Sequence, residues 1–90
     1  MKRFVIERNL PGVQNLTPRD LSEAAAKSNA ALAKLGGRVT WEHSYVVDDK
    51  TYCVYIADSE KSVMEHAKES GFPASKVTEV RTVFEPLTAG

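Results

Sequence analysis

Two β-prone runs in the middle of the chain lie so close together that they restrict the fold more than any other feature. The first run spans Arg38 to Val47 and the second spans Thr51 to Ile56, and both are rich in β-branched and aromatic residues. Only three polar residues, 48–50, separate them. A connection this short can join antiparallel strands but cannot form a parallel crossover. The sequence therefore predicts an antiparallel hairpin at the centre of the chain.

A helix is predicted on each side of this hairpin. The first begins at Thr17, whose side chain can cap it, and Pro18 suits the first helical position. Apolar residues at helical spacing continue from there to Gly36-Gly37, where the glycine pair ends the helix. The second helix is capped by Asp58 or Ser59 and closed by Gly71, because glycine enters the left-handed conformation at little cost.

A further strand is predicted at each end of the chain, from Arg3 to Arg8 and from Val77 to Phe84. The element order is then βαββαβ, and right-handed crossovers place both helices on one face of the sheet. We predict an α+β fold, a ferredoxin-like sandwich with a four-stranded antiparallel sheet of order 4-1-3-2. At 90 residues the chain forms a single domain, residues 1–90, since domains typically have about 100–150 residues.

Charge and composition exclude several classes of function. The chain carries 12 basic and 12 acidic side chains, whereas a protein that binds phosphate backbones usually has a basic surplus. No apolar run approaches the roughly 18 residues of a membrane span. We therefore predict no nucleic-acid partner and no membrane partner. The single cysteine cannot form an internal disulfide, which favours a reducing, cytoplasmic location.

The sheet face opposite the helices provides the first functional hypothesis. Four aromatic residues, Trp41, Tyr45, Tyr52 and Tyr55, lie in the central hairpin, and soluble monomers seldom leave a large apolar patch in water. We expect a homodimer that packs through this open sheet face. The alternative is that tyrosines are good strand formers and the face is simply exposed.

No strong catalytic motif is present, and the chemistry-bearing residues form only a loose set. His43 could be a metal ligand, a general base, or a histidine bonded to a tyrosine or to the backbone. The two histidines, His43 and His66, could converge on one divalent metal, with carboxylates completing the shell. Nitrogen and oxygen ligands of this kind suit nickel, copper or zinc. The candidate metal ligands are His43, His66, Glu42, Glu65 and Asp49.

The length of the hairpin loop decides which residues lie on the same face of the sheet as His43. A loop of two or four residues places His43 with Trp41 and Tyr45, whereas a loop of three places it with Cys53 and Tyr55. The sequence does not choose, because Asp48-Asp49 lacks the glycine typical of a two-residue turn. Cys53 in the middle of a strand is expected to behave as a small hydrophobic residue.

Two segments resemble a known family. Residues 41–55, WEHSYVVDDKTYCVY, carry the main similarity. The second segment is Glu65-His66-Ala67 followed by Gly71-Phe72-Pro73-Ala74 and residues 77–80, and the opening residues 5–8 also fit. Together they resemble a family of small bacterial proteins, once a domain of unknown function and now often labelled nickel-binding protein. The resemblance implies a ferredoxin-like dimer that binds nickel or another divalent transition metal, with nickel sequestration as one role it could serve. The residues at matching motif positions are His43, His66, Glu7, Asp49, Cys53 and Tyr55.

Three functions follow as hypotheses. The first is a nickel-binding protein without catalysis. The second is a small dimeric ferredoxin-like enzyme, of isomerase or monooxygenase type, in which the aromatic hairpin lines a pocket for a small organic ligand and His43 is the acid or base. The third is an assembly module whose sheet binds a partner domain.

Overall fold

The predicted hairpin forms one edge of a four-stranded antiparallel sheet. In the computed structural model, which describes residues 1–90, the strands are ordered β2-β3-β1-β4, which is the predicted order 4-1-3-2 counted from the other edge. Two helices cover one face of the sheet, as in the predicted ferredoxin-like sandwich. The elements are β1 (Lys2–Asn9), α1 (Pro18–Ala33), β2 (Val39–Val47), β3 (Lys50–Ala57), α2 (Glu60–Ser70) and β4 (Lys76–Glu79), with short 3-10 turns at Val13–Asn15 and Pro86–Ala89.

Strict alternation on the two central strands separates the covered face from the open face. On β1 the side chains of Phe4, Ile6 and Arg8 are buried beneath the helices, while their neighbours are only half-buried. On β3 the odd-numbered residues from Thr51 to Ala57 are buried in the same way. Every second side chain of β1 and β3 therefore points into the core, as the two-residue period of a β-strand requires.

Local capping sets the bounds of both helices. Thr17 accepts a hydrogen bond from the backbone N–H of Asp20, and the Asp20 carboxylate accepts one from the N–H of Thr17, which forms the reciprocal capping box. Helix α1 ends at Ala33, ahead of the predicted glycine pair, where the N–H groups of Lys34 and Leu35 donate to carbonyls three residues back and Leu35 packs in the core. Helix α2 ends at Gly71 in the left-handed conformation, at φ 73°, as predicted.

The last strand is shorter than the sequence predicts. Strand β4 ends at Glu79, and the final main-chain bond to β1 runs from Val80 N–H to the Arg3 carbonyl. Beyond this point β1 offers almost no further backbone, since it begins at Lys2. The apolar residues up to Phe84 therefore lack a strand to pair with, and the prediction that the strand continues to Phe84 is wrong.

A β-bulge interrupts the pairing of β2 with β3. Trp41 pairs with Tyr55 and His43 pairs with Val54, so Glu42 is the extra residue. The hairpin turn has two residues, since Val47 pairs with Lys50, and this places His43 with Tyr45 and Tyr52 on the open face, as a two-residue turn predicts. The bulge, however, moves Trp41 to the covered face beside Tyr55, so the prediction that Trp41 and His43 share a face is wrong.

Neither helix of the structure combines the length and the apolar character needed to span a membrane.

Candidate functional site

A cavity of about 590 Å³ lies between the sheet and the N-terminal half of α1. Its helical wall contains Leu21, Ala24 and Ala25, which are only half-buried or exposed although they lie on the apolar face of the helix. This half of α1 therefore borders the cavity instead of packing on the sheet. The volume lies within the range of about 300–1,000 Å³ that is usual for small-molecule sites.

The other walls come from the sheet and from the loop that follows β1. Strands β2 and β3 contribute side chains of their covered face, among them Trp41, Val46 and Cys53. The loop contributes Leu10, Val13 and other apolar residues. Cavity walls of this kind bury apolar ligand surface, and the few polar groups among them decide which ligand fits.

Arg8 is the charged residue at the polar end of the cavity. Its side chain is only 2% exposed. The Nη1 group donates to the carbonyls of Pro73, at 2.7 Å, and Phe72, at 3.4 Å, while Nη2 donates to the Tyr55 hydroxyl at 3.3 Å. The guanidinium forms no ion pair with any carboxylate of the chain. A buried cation is usually paired, because removing a charge from water is costly.

The Tyr55 hydroxyl links Arg8 to a second buried group, His66. Nε2 of His66 lies 3.1 Å from the Tyr55 hydroxyl and 3.3 Å from Ser28 Oγ. The Tyr55 hydroxyl accepts a hydrogen bond from Arg8 and shares Nε2 of His66 with the Ser28 hydroxyl. Nδ1 is buried and has no partner in the chain. At the polar end of the cavity, hydrogen bonds therefore connect Arg8, Tyr55, His66 and Ser28. Nδ1 of His66 is the buried atom of this network that has no partner.

Burial and the nearby Arg8 charge keep His66 neutral. Burial is the larger cause and the Arg8 charge the smaller, and together they lower the pKa of His66 to about 4. Burial also raises the pKa of the Tyr55 hydroxyl, against the opposing effect of Arg8. Both side chains therefore exchange hydrogen bonds as neutral groups near pH 7.

His43 and Glu42 lie at the other side of the sheet from the cavity. His43 is exposed, and its Nε2 lies 3.0 Å from the Tyr45 hydroxyl, so it is bonded to a tyrosine. Glu42 accepts from Arg3 Nε at 2.7 Å. That hydrogen bond is the main reason why the pKa of Glu42 is lowered, and the charge of Arg3 acts in the same direction. His43 does not line the cavity, so the structure does not support its predicted role as an acid or base for a ligand held there.

Asp49 and Glu65 are engaged elsewhere in the fold. Asp49 has a positive φ of 60° in the hairpin turn, and its carboxylate accepts from the backbone N–H of Gly12 at 2.8 Å. Its own N–H donates to the Gln14 side chain, so the turn holds the loop that borders the cavity. Glu65 lies on α2 and pairs with Arg38 at 3.1 Å.

The structure does not bring the five candidate metal ligands together. His43 lies on the open face and His66 is buried beneath α2, so the two imidazoles of one chain face opposite sides of the sheet. No group of three or more His, Cys, Asp or Glu side chains in the chain could hold a metal ion. Of the five, Glu42 is adjacent to His43 and Glu65 is adjacent to His66 in the sequence, and these two pairs lie on different elements.

Sequence reasoning missed Arg8 as a functional candidate, although the signal was present. Arg8 follows Phe4 and Ile6 at a spacing of two on a strand, and this places it on the same face as two core residues. A charged residue on the apolar face of a strand is unusual, because buried charges require partners.

These features define the class of protein: a ferredoxin-like α+β domain with a cavity beneath its helices and a histidine on its open face. The comparison with protein families identifies the particular family. The chain belongs to the family described as "Nickel responsive protein SCO4226-like", whose model matches residues 4–80. The curated proteins contain no match to the chain.

A solved structure has the same fold. It is described as "Crystal structure analysis of SCO4226 from Streptomyces coelicolor A3(2)". The two chains superpose with a TM-score of 0.77 at 19% sequence identity, and the match covers 91% of this chain and 99% of the other. At this level of identity the likeness establishes the ferredoxin-like fold.

Proposed function

We propose that this protein binds nickel or another divalent transition metal on its open sheet face, with His43 as the first ligand. The observation that carries the proposal is the membership of a nickel-responsive family, together with a single exposed imidazole. Imidazole nitrogen is a favoured ligand for nickel, copper and zinc. His66 fits less well, because it is fully buried and its Nε2 is occupied by Tyr55 and Ser28.

The neighbours of His43 supply oxygen atoms but not a full coordination shell. The Tyr45 hydroxyl lies within hydrogen-bond distance, and the Glu42 carboxylate is adjacent but paired with Arg3. One chain offers no group of three metal-binding side chains, so water or a second copy has to complete the shell. We infer a surface site that releases its ion readily, as suits sequestration or a response to nickel rather than catalysis.

A homodimer through the open sheet face is part of this proposal. The open face carries Tyr52 and Val54 beside His43, and apolar surface of this kind favours association. In a twofold-symmetric dimer the same patch meets itself, so two copies of His43 enter one interface. A cytoplasmic location completes the proposal, supported by the single cysteine, Cys53, which is buried and free.

The test is a calorimetric titration of chelator-treated protein with nickel. We expect His43→Ala to abolish most of the binding, because it removes the only exposed imidazole. The matched variant His66→Gln should bind nickel as the wild type does, since His66 lies on the covered side of the sheet. Binding should weaken in acid, because protons compete for the imidazole nitrogen.

Two results would contradict the proposal. If the wild-type protein binds no nickel, copper or zinc, the proposed metal function is wrong. If His43→Ala binds nickel fully and His66→Gln loses nickel binding, the metal site lies beneath the helices and not on the open face.

A further inference from the structure

The cavity contains a charge that the chain itself does not balance. Arg8 is 98% buried, since only 2% of it is exposed, and it lines the cavity at its polar end. Its hydrogen-bond partners, two backbone carbonyls and the Tyr55 hydroxyl, are all neutral, and no carboxylate contacts it. Its Nε–H makes no hydrogen bond to the protein, in contrast to Nη1 and Nη2. The guanidinium also lies 6.0 Å from the centroid of the Phe72 ring, so its charge has an aromatic contact but no anionic partner.

The form of the cavity determines which anion would fit. The helical and loop walls are apolar, with Leu21, Ala25 and Val13 among them. A phosphate would bring close to two negative charges against a single guanidinium in an apolar surrounding, which is unfavourable. A carboxylate brings one charge, and its planar geometry matches the guanidinium.

We propose that this cavity binds an apolar carboxylic acid, whose carboxylate pairs with Arg8 and whose carbon skeleton lies between α1 and the sheet. The Ser28 hydroxyl borders the same cavity, 3.3 Å from Nε2 of His66, and adds a polar group near the carboxylate end. The proposal goes beyond nickel binding, because it uses residues on the covered side of the sheet whereas His43 lies on the open side.

Trp41 provides a direct readout of the cavity. It is the only tryptophan of the chain, it is half-buried, and it forms part of the cavity wall. The test is a fluorescence titration of nickel-free wild-type protein with 4-phenylbutanoate. The uncharged analogue 4-phenylbutanol, with the same carbon skeleton, measures the contribution of the carboxylate. We expect saturable binding of the acid and roughly tenfold weaker binding of the alcohol, because a charge-assisted hydrogen bond is lost.

Two variants locate the ligand. In Arg8→Gln the acid should bind no better than the alcohol, because the cation is gone. Arg8 also holds the carbonyls of Phe72 and Pro73, so this variant could lose its fold; Ala25→Phe therefore provides an independent test, because it fills the cavity and leaves Arg8 in place. Ala25→Phe should lose binding of both ligands. His43→Ala should bind the acid normally, and this separates the cavity from the nickel proposal.

The inference is overturned if the acid and the alcohol bind equally to the wild type, or if neither gives a saturable signal. It is also overturned if Ala25→Phe binds the acid as tightly as the wild type, since the ligand then lies elsewhere.

Discussion

At the scale of single residues, the buried imidazole of His66 has hydrogen bonds on one ring nitrogen and none on the other. His66 is completely buried, it shares Nε2 with two hydroxyl groups, and its Nδ1 has no partner. An unsatisfied buried polar atom costs about 1–3 kcal/mol. The protein carries this cost beside Arg8, which has hydrogen bonds but no counterion. Both residues border the same network, so stability and ligand binding depend on the same small group of side chains.

The low pKa of His66 makes the stability of the protein depend on pH. In the unfolded chain an ordinary histidine binds a proton below pH 6.5, whereas in the folded chain this residue does so only below about 4. The unfolded state therefore binds more protons between these values, and the free energy of unfolding falls as the pH falls through this window. We expect a loss of about 2 kcal/mol between about pH 7 and about pH 5, measured by urea denaturation.

The control for this prediction replaces each histidine in turn. His66→Gln should lower stability near pH 7 and flatten the dependence on pH, whereas His43→Gln, on the open face, should leave the slope as it is. An unchanged slope in His66→Gln would assign the effect to other groups.

At the scale of elements, the end of α2 is fixed by one backbone conformation. Gly71 has φ 73°, and a Cβ atom built on it would meet only the end of the Lys27 side chain, at 3.6 Å. Space is therefore not the limiting factor, and the cost of a substitution comes from the left-handed conformation itself.

We expect Gly71→Val to reduce the free energy of unfolding by about 1–2 kcal/mol, because a β-branched residue resists positive φ. The matched variant Gly71→Asn should lose less, since asparagine tolerates this conformation. Urea denaturation of the three proteins provides the measurement. Equal losses of stability in Gly71→Val and Gly71→Asn would indicate that the presence of a side chain, and not the left-handed backbone conformation, causes the loss.

The sequence predicts elements better than it predicts their irregularities. The hairpin and the cap at Gly71 follow from local residue preferences, and the sheet order follows from the handedness of the connections. The bulge at Glu42 has no comparable local signal, because no glycine or proline marks it. The early end of β4 depends on where β1 begins, which is a contact between distant parts of the chain.

The candidate site was harder to predict for the same reason. His43 could be placed on one of two faces, and the two-residue turn settles which. The cavity depends on how the loop after β1 is held, and Asp49 holds it through hydrogen bonds across more than 30 residues of sequence, to Gly12 and Gln14. Periodicity places the apolar residues of α1 on one face of the helix, but it contains no information about such contacts.

At the scale of the whole molecule, apolar surface remains uncovered in two places. The open sheet face carries Tyr45, which is 58% exposed. The segment after β4 carries Phe84 and Leu87, exposed by 83% and 84%. Large apolar residues grouped in this way are typical of surfaces that another molecule covers. Both places support the proposal that the protein associates with itself.

We expect sedimentation at high micromolar concentration to give twice the 9.9 kDa mass of the chain. Val54→Lys, on the open face opposite His43, should give monomers, because the dimer would bury an unpaired charge. The matched variant Met64→Lys carries the same new charge on the exposed side of α2 and should remain dimeric. A wild-type mass near that of one chain would contradict the dimer.

The bulge in β2 has a consequence for how the gene can vary. Because Trp41 and Glu42 together oppose a single residue of β3, the chain contains one codon more than a regular strand requires. Loss of the codon for Glu42 would restore simple alternation, with Trp41 still on the cavity side and His43 still on the open side. Loss of any codon from 44 to 46 would also remove the bulge, but it would turn His43 to the covered face and any residue between it and the deletion away from its present face. Length variation among natural relatives should therefore concentrate at this one position of the strand, and the two faces can then diverge independently.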